Sequence, residues 1–272
     1  MKNLPSTFTR RDFLKFSAAG TLGLLMSELG LNKVHAGPPP LQQQGRTTWS
    51  SLTIYDKPSF SGKVLNLYGR DVILPISETL HIEDEHAYNH VWYRIGDEGF
   101  AHSAYLQPVF TSYNLPVLDI PAEGVLAEMT VPFMPIRLGA GYYFKPKRRY
   151  YYGTTYWVDQ IVQLPDDGTY WYRIFDNLTK DHFFVPSYCL RIVPDEELAP
   201  ISPNVAPEEK HIYVDIATQT MVAYEGDVPV ATSLVASGWG GTPTPAGTFS
   251  TYHKAPSVHM TDGAGDAANY DL

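Results

Sequence analysis

The sequence predicts a mainly β chain: two small barrels of short strands, followed by a β-meander. Three observations predict it. The first is an internal repeat, in which Val91-Trp92-Tyr93-Arg94-Ile95 and Gly99-Phe100-Ala101-His102-Ser103-Ala104-Tyr105-Leu106 return as Tyr170-Trp171-Tyr172-Arg173-Ile174 and Phe184-Val185-Pro186-Ser187-Tyr188-Cys189-Leu190. Each copy follows short alternating stretches broken by Gly, Pro and Asp, as in barrels built from short strands. The second is a period of two after His211, where Ile212, Val214 and Ile216 alternate with Tyr213 and Asp215, the signal of a half-buried strand. The third is a composition with 19 Tyr and 22 Pro in 272 residues, which does not favour helix.

Length and charge narrow the function classes. A chain of 272 residues, 44% hydrophobic, has room for two or three small domains. A net charge of −9 argues against a general nucleic-acid binder, which carries a basic stripe. One cysteine forbids an internal disulfide framework.

Residues 1–36 read as an address. Thr9-Arg10-Arg11-Asp12-Phe13-Leu14-Lys15 resembles the twin-arginine export motif, the apolar stretch Phe16 to Met26 is too short to span a bilayer permanently, and cleavage is expected after Ala36. Arg10 and Arg11 are thus the export-signal residues. The resemblance implies passage through the twin-arginine translocase, membrane contact only during export, and a mature chain in the periplasm or the extracellular cell wall. Residues 37–48 form a Pro/Gln linker. The repeats, 49–112 and 113–194, resemble bacterial SH3-type domains, in which a Trp-Tyr-x-Val/Ile strand precedes a Gly-aromatic strand and a final Tyr-Leu. Such SH3-like modules often accompany wall-active enzymes, and their functional residues are not fixed. Residues 195–210, rich in acids and prolines, read as an exposed linker.

The most informative stretch is His211 to Phe249. A strand through Val214-Asp215-Ile216, the turn Thr218-Gln219-Thr220, a strand ending Ala223-Tyr224-Glu225-Gly226 and an apolar run from Val228 to Ala236 read as a β-meander. Ser237-Gly238-Trp239-Gly240-Gly241 and Thr242-Pro243-Thr244-Pro245-Ala246-Gly247-Thr248-Phe249 follow, a connection whose glycines allow close backbone approach and whose prolines fix φ. In this order the elements resemble the N-terminal half of the L,D-transpeptidase catalytic domain, the YkuD-type fold that remodels bacterial peptidoglycan, so residues 211–272 are expected to be an incomplete YkuD-type β-sandwich or barrel.

The resemblance implies an acyl transferase. A cysteine thiolate, activated by a histidine, attacks the third residue of a donor stem peptide and releases the terminal D-alanine; an acceptor amine then resolves the thioester into a crosslink. The implied partners are peptidoglycan stem peptides and glycan, with no nucleic acid and no cofactor or metal. The family's Ser-His-Gly-Cys element does not occur in these residues. The expectation is that the catalytic Cys and His lie beyond Leu272 and that the chain as given is an inactive fragment. Gly238, Thr242, Pro243, Thr244, Pro245, Gly247 and Phe249 are candidates for lining the substrate groove, with an architectural role weighed first for the glycines and prolines. Nothing in the resemblance gives His253 or His259 the base role. The alternative is a non-catalytic wall-binding protein, two SH3-like modules followed by a degenerate remnant.

Other constellations have quieter readings. Cys189, the sole thiol, stands among Phe183-Phe184-Val185 and Leu190-Arg191-Ile192-Val193 and reads as a small apolar barrel residue. His81, Glu83, Asp84, Glu85, His86 and His90 read as a solvated loop ahead of adventitious metal binding. Lys145, Lys147, Arg148 and Arg149, interleaved with Tyr151 and Trp157, have two readings: a packed aromatic hairpin whose tip carries solvated charge, or a surface gripping wall polymer.

Overall fold

The computed structural model describes residues 43–84, 87–176, 180–238 and 243–251, with strand residues 259–260 and 270–271. The export-signal residues Arg10 and Arg11, Glu85, His86 and His253 lie outside the described residues. The architecture is mainly β, in several antiparallel sheets. No helix among the described residues is long and apolar enough to cross a membrane.

The first unit contains β1 (Gln44–Thr47), β2 (Leu52–Tyr55), β3 (Val64–Tyr68), β4 (Ile73–His81), β5 (Val91–Ile95), β6 (Gly99–His102) and β7 (Leu106–Val109), ordered β3-β2-β6-β5-β4-β1-β7. The second contains β8 (Val125–Met129), β9 (Phe133–Arg137), β10 (Pro146–Tyr151), β11 (Thr155–Gln163), β12 (Tyr170–Phe175), β13 (His182–Pro186) and β14 (Leu190–Ile192), ordered β10-β9-β13-β12-β11-β8-β14. The orders correspond strand for strand. Each unit also places a 3-10 turn before its last strand, Ser103–Tyr105 and Ser187–Cys189.

Both sheets curl. In each, a nine-residue strand, β4 or β11, carries a register shift that lets it serve both halves of the sheet. Leu52 and Ile54 on β2 therefore meet Leu74 and Ile76 on β4, Val91, Tyr93 and Ile95 on β5, and Leu106 on β7 in one core. The second core gathers Ala127, Met129, Ile136, Tyr150, Val158, Tyr172, Ile174 and Val185 in the same way. Gly99 shows how tightly the layers approach: with φ of +142°, a β-carbon there would stand 2.4 Å from the Tyr55 carbonyl oxygen.

The central strands β5 and β12 are covered on both faces. Val91, Tyr93 and Ile95 point into the first core, while Trp92, on the other face, is 4% exposed beneath Phe60, Tyr55 and His102. In the second unit Tyr142 covers Trp171 at 5.0 Å between ring centroids. Burying such rings contributes roughly 2–3 kcal/mol each.

A polar knot joins the two units. The Asp71 carboxylate, on the β3–β4 turn, accepts from the Arg46 guanidinium at 2.7 Å, from Arg149 of the second unit, and from the Tyr151 hydroxyl at 3.5 Å. Arg46 lies 4.1 Å over the Tyr151 ring and donates from Nε and Nη2 to Gln107 Oε1. Gln107 in turn donates to the Tyr152 carbonyl at 3.4 Å. Arg46 and the Asp71 carboxylate are both buried, so removing the carboxylate leaves a buried cation without its counter-ion. Asp71→Ala is expected to destabilise the protein by about 3–5 kcal/mol in chemical denaturation, and Asp71→Asn, which keeps an acceptor, by less. A loss below about 0.5 kcal/mol for the alanine variant would contradict this.

Candidate functional site

The third sheet is built on β15 (Lys210–Asp215), β16 (Thr220–Glu225) and β17 (Val228–Leu234), in that order. It is the meander read from the sequence. Its register places Ile212 opposite Ala223 and Val214 opposite Met221, with Ala223 opposite Ala231 and Met221 opposite Ser233, so one face is largely apolar between its Lys210–Glu225 end and Ser233. On the other, His211 stacks on Tyr224 at 5.0 Å. Neither face is covered by described residues: Ile212 is 56% and Tyr213 60% exposed. The half-buried strand anticipated from the alternation has the pattern and lacks the cover.

The two ends of the meander are tied by side chains. Asp215 Oδ1 accepts from the amides of Ala217 and Thr218, closing the β15–β16 turn, and the Thr218 and Thr220 hydroxyls meet at 2.8 Å. Gln219 sits between them with φ of +54°, in the left-handed region. Its carbonyl accepts from the Val235 amide at 3.0 Å. Its side-chain amide donates to the Ile216 carbonyl and to Ser237 Oγ at 2.6 Å, while Oε1 accepts from the Ser237 amide at 3.0 Å. The Gly238 amide then donates to Thr244 Oγ1 at 2.7 Å. Gln219, at 8% exposure, is the buried side chain of this segment among the described residues. It fastens the start of the Gly/Pro connection to the first turn.

The groove candidates fall on this connection. Gly238 is half-buried at the clamp, whereas Pro243, Thr244, Pro245, Gly247 and Phe249 are exposed; Thr242 lies outside the described residues. The sequence showed the Thr-Gln-Thr turn as a motif, and the structure gives Gln219 its role. Side-chain atoms of a turn and a loop eighteen positions apart leave no periodic trace.

The basic hairpin residues separate. Lys145 and Lys147 are exposed. Arg148 pairs with Asp176 and lies near the Phe183 ring, and Arg149 is drawn to Asp71 across the junction. Tyr151 lies beneath Arg46, and Trp157 donates its indole N–H to the Glu123 carbonyl at 2.8 Å. Cys189 is fully buried, its thiol donating to the Pro186 carbonyl at 2.8 Å, and burial pushes the thiol well above its ordinary range. A nucleophilic thiolate needs the reverse setting. Among the described residues no group of three or more His, Cys, Asp or Glu side chains is placed to hold a metal ion.

With this geometry in view, comparison with known families is specific. Residues 209–271 match the YkuD family, described as the L,D-transpeptidase catalytic domain. The match covers the third sheet and its connection, and leaves out both seven-stranded units. None of the curated proteins matches the chain.

The clamp makes a direct prediction. Gln219→Ala removes the side-chain bonds at once and is expected to raise the hydrogen-exchange rate of the Val235 and Ser237 amides by about tenfold or more, as losing about 1–3 kcal/mol of local stability requires. Unchanged protection at both amides would show that the clamp holds nothing.

Proposed function

We propose that this chain belongs to an exported peptidoglycan L,D-transpeptidase, in which residues 211–272 form the first part of a cysteine acyl-transfer domain carried behind two SH3-like modules. The observation that carries the reading is the family match over residues 209–271. It coincides with the segment in which Gln219 fastens the Gly/Pro connection to the meander. The open, largely apolar face supports the same reading from energetics. A three-stranded sheet with Ile212 and Val214 exposed gains little from apolar burial, and further strands or helices packed on it would supply what it lacks.

In this reading the sheet is scaffold and the reacting groups are added to it. The cysteine and histidine come from a Ser-His-Gly-Cys element following Leu272. The thiolate displaces D-alanine from the donor stem peptide to form a thioester, and an acceptor amine takes the acyl group, regenerating the thiol. The twin-arginine signal at Arg10 and Arg11 delivers the folded chain to the periplasm or wall. The polar knot at Asp71 holds the two SH3-like modules as one spacer. Lys145 and Lys147 remain the hairpin cations best placed to meet an anionic wall polymer.

The test is to express the reading frame extended past the Leu272 codon and measure D-alanine release from a tetrapeptide-stem muropeptide. Release that a Cys→Ala change in the Ser-His-Gly-Cys element reduces by about a thousandfold or more is expected. A frame that ends at Leu272, or continues without such a thiol, would overturn the enzymatic reading and favour a non-catalytic wall-binding protein.

A further inference from the structure

We propose that the junction between the two seven-stranded units binds a phosphate group, held between Arg70 of the first unit and Arg149 of the second. Three guanidinium groups converge there on one acid. Arg46 Nη1 stands 2.7 Å from Asp71 Oδ1, while Arg149 Nη1 and, at 4.0 Å, Arg70 Nε both face Asp71 Oδ2. Among the described residues no other carboxylate lies within 4.0 Å of any of the three. The cluster therefore keeps a surplus of two positive charges, which one dianion matches and a single carboxylate only halves.

Burial sorts these charges. The side chains of Arg46 and Asp71 are 8% and 3% exposed, and Arg46 also donates from Nε and Nη2 to Gln107. Arg70 and Arg149 stand at the surface, with side chains 55% and 47% exposed. Arg70 donates from Nη2 to the Tyr151 hydroxyl at 3.2 Å, and Arg149 donates from Nη1 to Asp71. Nη1 of Arg70 and Nε and Nη2 of Arg149 have no acceptor among the described residues. An oxyanion arriving from solvent thus finds available donors, while the Asp71 carboxylate is buried and already accepts from Arg46 and Arg149.

The donors are also held in place. The Tyr151 ring carries Arg46 at 4.1 Å and Arg70 at 5.8 Å, and the Phe133 ring carries Arg149 at 5.1 Å. Asp71, on which they converge, has a left-handed backbone with φ of +63°, and its amide donates to the Thr47 carbonyl at 2.9 Å. A planar guanidinium fixed against a ring presents its N–H fork with less entropy to lose, and two forks facing one oxygen stand close enough for a single tetrahedral oxyanion to bridge them. Like charges gathered without a counter-ion repel, and a bound phosphate removes that repulsion.

The inference concerns residues outside 209–271 and does not rest on the transpeptidase reading. The test uses the full chain, isotope-labelled, titrated at fixed ionic strength with inorganic phosphate, with glycerol phosphate and with acetate. The Nε–H signals of Arg70 and Arg149 are expected to shift saturably with one shared Kd of about a millimolar, and acetate to bind about fivefold more weakly or worse. Arg70→Gln, at a half-exposed position that leaves Asp71 its Arg46 and Arg149 partners, should weaken binding about fivefold or more, whereas Lys145→Gln on the hairpin should change it by less than about twofold. Tighter binding of glycerol phosphate than of inorganic phosphate identifies a phosphomonoester as the ligand, and the reverse order the free ion; both support the site. Absence of saturable shifts, different Kd values at the two arginines, equal binding of acetate, indifference to Arg70→Gln, or an equal loss with Lys145→Gln would overturn the proposal.

Discussion

Apolar burial is distributed unevenly along this chain, and that unevenness governs what each part can do. β5 and β12 are covered on both faces, and each seven-stranded unit closes around its own core. β15, β16 and β17 share hydrogen bonds and one largely apolar face, and bury little besides Gln219. Backbone pairing alone is a weak stabiliser in water, because the unfolded strand finds equivalent partners in solvent. The third sheet is consequently held by its turns and by the Gln219 amide, while the first two are held by rings and aliphatic side chains.

The sequence was legible wherever the signal was local. The two copies of Trp-Tyr-Arg-Ile marked the central strands because a strand buried on both faces must be apolar at consecutive positions, and the Gly and Pro breaks marked the ends of their neighbours. The meander was legible for the same reason, from the alternation at Ile212 and Val214. Cover was not legible: alternation says which residues share a face and is silent about what lies across from it. Arg149 illustrates the limit. In the sequence it stood with Lys145, Lys147 and Arg148 as one basic group, yet its partner Asp71 is 78 positions away. The Gln219 clamp escaped for a related reason, since its meaning depends on where Ser237 returns in space.

The repeat also conceals a difference in hydrogen bonding. Trp92 and Trp171 occupy equivalent strands, but the residue two positions earlier is His90 in one unit and Thr169 in the other. Thr169 supplies the acceptor that Trp171 uses. His90 turns away: its ring meets the Ala87 carbonyl at 3.0 Å and its amide donates to the Ala217 carbonyl in the β15–β16 turn. The segment before β5 thereby touches the turn that holds Gln219. Two nearly identical strands thus carry differently partnered tryptophans.

The central claim is that the third sheet is formed but left uncovered by the described residues, and native-state hydrogen exchange along the whole chain tests it most directly. The amides of β16 should exchange at least about a hundredfold faster than those of β5 and β12, consistent with local opening several kcal/mol below global unfolding. Protection of β16 equal to that of β12 would contradict the account, because it would mean that the sheet owes its stability to burial that these exposed faces do not provide.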